Sequence, residues 1–248
     1  MPDRETLFIT GFPGFIANRL LERLAGKECD FILLVQPALR SRAVDEIERL
    51  AQLSGKTDFR IVEGDISEPR LALSAADLDL VQQQTTRVFH LAAVYDLAVP
   101  EELAMRVNAG GTRNVVELAR TLPHLRQFHH VSTCYVAGKR EGVILETELR
   151  HDAGYRNFYE ESKNLAEQEV ASAKDELPVT IHRPAVVCGD SRSGETGPSY
   201  SHPTAQKRYA SSAIAQWFSI KAKLRFMPTS TRDWRSTPVF NEGDGLRL

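Results

Sequence analysis

Residues 10–17 read TGFPGFIA, wedged between the apolar run LFIT (7–10) and the helical pattern GFIANRLLERLAG (14–26). Glycines at 11 and 14 and an alanine at 17 put small residues at the spacing G-x-x-G-x-x-[GA]. A strand that enters a helix through such a turn is suited to hold a pyrophosphate. The turn is tight, the backbone comes close to the ligand, and the helix lies close to the strand. The helix start then offers free N–H groups and partial positive charge. Thr10, Gly11, Phe12, Gly14, Phe15 and Ile16 are the candidate phosphate-loop residues.

Outward from this loop, short β-like runs alternate with helical ones. FILLV (31–35), FRIVEGD (59–65), RVFHLAAV (87–94), QFHHVSTCYV (127–136) and PVTIHRPAVV (178–187) read as strands. Helical patterns cover 41–53, 101–121 (interrupted by a glycine pair) and 155–173. Apolar strands separated by helices imply βαβ units. The expected class is α/β, a Rossmann-type doubly wound parallel sheet with helices on both faces. From Glu195 the texture changes to Ser, Thr, Pro and Arg, with both tryptophans. Residues 1–194 are therefore read as the dinucleotide-binding domain. Residues 195–248 are read as an irregular tail or a reduced substrate-binding segment, with Trp217, Phe218 and Phe226 as its apolar lining.

With 42% hydrophobic residues over 248, the chain can bury one sizeable core. A net charge of −2 gives no basic surface for nucleic acid. No apolar run is long enough to cross a bilayer, and the acidic N-terminus is unlike a signal peptide, so the cytoplasm is the expected compartment. Cys29, Cys134 and Cys188 have neither disulfide-framework nor metal spacing. His129 and His130, adjacent on a strand, point to opposite faces and read as structural, so no metal site is expected.

The second strand ends in Val35-Gln36-Pro37 with no carboxylate to hold an adenosine ribose, and Arg40 and Arg42 follow. Guanidinium suits a 2′-phosphate, so NADP(H) is favoured over NAD(H). In YEESK, Tyr159 and Lys163 share a helix face. An ammonium one turn from a phenol stabilises the phenolate, and Lys163 is expected to lower the Tyr159 pKa towards neutrality.

TGFPGFIA, GDI (64–66), HLAA (90–93), VNAGGTRNV (107–115), VSTCYVAG (131–138), YEESK (159–163) and HRPAVVCGD (182–190) occur in that order. Together they resemble the extended short-chain dehydrogenase/reductase superfamily over residues 6–194. HLAAVYDL and RPAVVCGDSRSGE look most like its fatty acyl and thioester reductases. The resemblance implies a catalytic Thr133, Tyr159 and Lys163, with Ser132 second to Thr133. It implies cofactor contacts at Asp65, Ile66, Ala92, Ala93, Asn108, Lys163, Pro184 and Val187, Asn108 supporting the active-site backbone. It further implies NADPH-dependent reduction of a small-molecule substrate, such as a coenzyme A or carrier-protein thioester or an aldehyde. Two alternatives stand beside it: a nucleotide-sugar epimerase or dehydratase, and a non-catalytic nucleotide-binding module. Cys134 reads as a packed strand residue. Members of the superfamily continue into a longer substrate domain, so a truncated or altered frame beyond residue 194 is expected.

Overall fold

The computed structural model describes residues 4–54 and 57–187. The expected domain boundary at 194 and the three aromatic lining residues lie outside them. Six parallel strands are β1 (Glu5–Thr10), β2 (Cys29–Val35), β3 (Phe59–Glu63), β4 (Arg87–His90), β5 (Gln127–Val131) and β6 (Val179–His182). They lie in the order β3-β2-β1-β4-β5-β6. That is the doubly wound order, with its switch point between β1 and β4. The sheet and its helices form one compact unit ending at Ala185.

Alternation along the strands sends residues to two separate cores. Leu7, Ile9, Phe31, Leu33 and Val35 pack with Leu21 of α1 (Phe15–Leu24) and Leu50 of α2 (Arg40–Ser54). Phe8, Ile32, Leu34, Val88 and Phe128 face the other way. They meet Val81 of α3 (Ala75–Gln84), Val115 of α5 (Gly111–Arg120) and Val170 of α6 (Phe158–Ser172). Helices thus cover both faces, as expected.

Several boundaries differ from the sequence reading. The fourth, fifth and sixth strands stop at His90, Val131 and His182, short of the expected ends at 94, 136 and 187. The apolar residues beyond them leave the ladder to line the carboxyl edge of the sheet. Helix α3 had no expected counterpart, although Ser74 caps it by accepting from the Asp77 N–H at 3.1 Å. The glycine pair at 110–111 does not break its helix. Short α4 (Glu101–Ala104) runs through a π turn (Met105–Gly110) directly into α5. Gly111 there faces Ile66, whose side chain would lie 2.8 Å from any Cβ at that position.

Candidate functional site

The phosphate loop is assembled by close backbone packing. Gly11 adopts φ +88°, and a Cβ there would meet the Ala92 amide nitrogen at 2.7 Å. Only glycine fits both the angle and the gap. Gly14 caps α1 without a side-chain hydrogen bond, and no acidic residue stands in the first turn. The first-turn amides are therefore left for an anion, which fits a dinucleotide pyrophosphate. Thr10 Oγ1 accepts from the Ala92 N–H at 3.1 Å and hydrogen-bonds His90 Nδ1 at 2.8 Å. His90 Nε2 in turn reaches Thr112 Oγ1 at 2.9 Å. This side-chain chain ties β1 to β4 across the switch point. Burial, reinforced by the Lys163 ammonium, pushes His90 down to about 3, so it stays neutral.

At the adenosine end, Gln36 Nε2 donates to Asp65 at 2.8 Å, and Asp65 also accepts from the Ser67 backbone and hydroxyl. Burial opposes the Asp65 charge, but these bonds and Arg106 outweigh it and hold the carboxyl below its usual range. Arg40 does not stand free as expected. It pairs with Glu63 at the end of β3, 2.9 Å away, on the exposed surface. Arg42 is exposed. Ile66 is a core residue whose carbonyl accepts from Asn114 at 2.8 Å.

The catalytic candidates converge. Asn157 caps α6 by accepting from the Glu160 N–H at 2.9 Å, and the Glu160 carboxylate accepts from the Arg156 N–H at 3.0 Å. This reciprocal cap fixes the first turn that carries Tyr159. Thr133 leaves β5 in extended conformation and accepts from the Tyr135 N–H at 3.2 Å. Its hydroxyl lies close enough to the Tyr159 phenol to favour the ionised form. Ser132 points the other way, as expected, and donates to Glu167 at 2.6 Å. Asn108 is buried; its Oδ1 accepts from the Val94 N–H at 2.8 Å, and its Nδ2 reaches Ser162 Oγ at 3.0 Å. Asn108 thus braces the loop after β4 against α6 and is spent on backbone support. The Pro184 carbonyl accepts from the Cys134 N–H at 3.0 Å. Ala93 follows Ala92 on the loop leaving β4. Val187 belongs to the second unit, which also takes in Glu141–Val143.

Lys163 reaches back to the end of β5. Its ammonium donates to the Val131 carbonyl at 2.9 Å, and burial, partly offset by Glu167, pushes it down to about 8. The Tyr159 phenol is raised, chiefly by burial and then by Tyr95, against the Thr133 hydroxyl. Burial thus disfavours the charged form of both groups, the ammonium and the phenolate. Tyr95 stands edge-on to Tyr159 with ring centroids 5.2 Å apart. Desolvation raises the Cys134 thiol as well, but Cys134 is exposed on the turn after β5 and is not the packed strand residue expected. His129 stacks on Phe89 and bonds His182, as a structural residue does. Among the described residues no His, Cys, Asp and Glu group could hold a metal ion, and no helix is long and apolar enough to cross a membrane.

Sequence reading missed His90, Glu167 and Tyr95. The K-x-x-x-E spacing of Lys163 and Glu167 was the available signal for the second, since it puts both on one helix face.

Residues 9–231 match the family described as male sterility protein, well over half of the chain. The chain belongs to this family. The match runs past Gly194, the expected domain boundary. Within the family the chain is of the extended short-chain dehydrogenase/reductase type. It is 26% identical over 229 residues to the Drosophila melanogaster fatty acyl-CoA reductase wat, covering 77% of this chain and 44% of that protein. It is 31% identical over 195 residues to the hybrid PKS-NRPS synthetase pydA of Acremonium sp., covering 75% of this chain and 4% of that one. The terminal R domain of the myxalamid PKS-NRPS pathway superposes with a TM-score of 0.69 at 29% identity, over 79% of this chain and 52% of that one. The chain thus spans about half or less of the proteins it matches.

Proposed function

We propose that this chain carries the hydride-transfer site of an NADPH-dependent reductase acting on acyl thioesters or the derived aldehydes. The observation that carries the reading is the Thr133–Tyr159 hydroxyl pair, with Lys163 one helical turn further on. Bound NADPH would supply the hydride. Reduction puts negative charge on the carbonyl oxygen, which needs a donor at hand. Thr133 orients that oxygen by hydrogen bonding, and Tyr159, held protonated by burial, gives it a proton. With a thioester this yields a hemithioacetal, whose carbon–sulfur bond then breaks to release the thiol and leave an aldehyde. With an aldehyde the product is an alcohol. Lys163 would hold the ribose hydroxyls, and its charge would return the proton to Tyr159 from solvent.

The fatty acyl-CoA reductase and PKS-NRPS reductase-domain relatives support the substrate class. Arg40 supports NADPH over NADH: a phosphate dianion draws a guanidinium more strongly than the single Glu63 carboxylate now facing it. Tyr159→Phe is the test, with NADPH oxidation followed on decanoyl-coenzyme A and decanal. Turnover should fall by roughly 10²–10⁴-fold, as for loss of a general acid, while NADPH fluorescence titration stays within about threefold of wild type, under ~0.7 kcal/mol. Undiminished turnover would remove Tyr159 from the mechanism.

A further inference from the structure

We propose that Glu167 is a positioning residue that clamps three segments of the catalytic site together and serves as counter-charge to Lys163. Glu167 is 1% exposed. Oε2 accepts from Ser132 Oγ at 2.6 Å, and Arg183 Nε donates to Oε1 and Oε2 at 3.0 and 3.1 Å. Each donor adjoins a working residue. Ser132 precedes Thr133 where β5 ends. Arg183 precedes Pro184, whose carbonyl receives the Cys134 N–H. Glu167 itself lies one turn beyond Lys163 on α6. A single carboxylate therefore sets the spacing between the Thr133 turn, the Tyr159–Lys163 helix and the segment after β6.

Burying an ion pair strips water from both ions, and an apolar core could fill the same gap with no such cost. The ion pair supplies direction: bidentate guanidinium contacts fix orientation as well as distance. Charge is the second consequence. The titratable groups around Lys163 are Glu167 from its own helix, which favours the ammonium, and His90 from β4 and His130 from β5, which the ammonium holds down. Burial keeps both imidazoles neutral. Glu167 is then the anion that favours the ammonium, while its partner Arg183 points to it from just past the end of β6.

The test is Glu167→Gln, which preserves shape and removes charge. Three readouts are needed: the pH profile of kcat/KM with NADPH and decanal, the NADPH affinity by fluorescence, and urea unfolding from pH 6 to 10. The first readout rests on the reductase reading; the other two do not. Loss of the carboxylate should move the alkaline limb of kcat/KM down by about one pH unit, a tenfold change in proton affinity. It should lower kcat more than it weakens NADPH binding. Lys163 would also lose its proton earlier on folding, so the alkaline rise in stability would begin at lower pH. Glu167→Asp, with charge kept and reach shortened, should leave the limb in place but still lower kcat. This variant also stands in if the glutamine form does not fold. Should wild type reduce neither decanal nor decanoyl-coenzyme A, the reductase reading fails and the unfolding series still decides the clamp. Glutamine and wild-type curves that superpose after scaling, in both pH series, would overturn it. So would wild-type kcat in the aspartate variant.

Discussion

On the β1–β3 side of the sheet, the residues facing α1 and α2 are Leu7, Ile9, Phe31, Leu33 and Val35. Across the switch point, β4 and β5 instead bury His90, His129 and His130, and the strand ends carry Ser132 and Thr133. The first half presents backbone: Gly11, Gly14 and the free amides of α1 do the recognising, so the side chains beneath are free to be apolar. The second half presents side chains, and each must be oriented by another polar group. Thr133 is oriented towards Tyr159, Asn108 towards Val94 and Ser162, and Glu167 towards Ser132 and Arg183. Recognition by main chain asks for room, while chemistry by side chain asks for buried hydrogen bonding. The two halves should therefore fail in different ways.

The largest effect expected beyond the catalytic variants is at Gly11. Gly26 has a similar φ, +86°, with nothing within 4 Å of a Cβ, whereas Gly11 faces backbone at 2.7 Å. Gly26→Ala should lose only the left-handed backbone term, about 1–2 kcal/mol. Gly11→Ala should lose more in the same urea titration, and weaken NADPH binding by at least roughly tenfold, ~1.4 kcal/mol. Equal losses in the two variants would mean that the loop yields and that close approach is not what makes it.

Next comes pH, which probes the other half. Folded Lys163 releases its proton near pH 8, whereas unfolded it would hold it to 10.5. Between these values the unfolded chain binds more protons, so stability rises with pH. Tyr159, raised when folded, acts in the opposite sense above its ordinary value of 10. The urea midpoint should thus climb from pH 8 to 10, and Lys163→Met should flatten the climb. Over the same interval kcat/KM should fall, as the ammonium is lost. Stability and activity moving in parallel would contradict the assignment.

The smallest effect is at the adenosine edge. Glu63→Gln releases Arg40 from an exposed pair worth about 0.2–1 kcal/mol. The ratio of NADPH to NADH affinity should rise by no more than roughly fivefold, on the same energy scale. A fall in that ratio would mean that Arg40 needs Glu63 to hold it in place.

The same contrast explains what the sequence could and could not reveal. On the backbone half, TGFPGFIA and the apolar runs of β1 and β2 name the fold, because small residues and period-2 burial are local features. On the other half, the runs HLAAV, HVSTCYV and IHRPAVV look like uninterrupted strands. Their apolar residues line the site after the ladder has ended, so all three strands were read too long. Tyr159 and Lys163 were legible because i, i+4 spacing is local. The Glu167–Arg183 pair and the Arg40–Glu63 pair were not, since each joins residues brought together only by the sheet. Helix α3 was missed because the apolar residues of AADLDLVQQQ form no clear stripe at helical spacing, although Ser74 and Asp77 mark its start.

The π turn at Met105–Gly110 bears on how this chain should be compared with others. Such a turn is an α-helix holding one extra residue. Deleting any residue of 105–110 would restore a continuous helix and rotate everything before it by about 100°, one residue's share of a 3.6-residue turn. Asn108 could not then face Val94 and Ser162 while Gly111 still faced Ile66. In an alignment, a one-residue gap at this place signals a re-aimed brace behind Tyr159, and should be weighted as a change of geometry, unlike a gap in a surface loop.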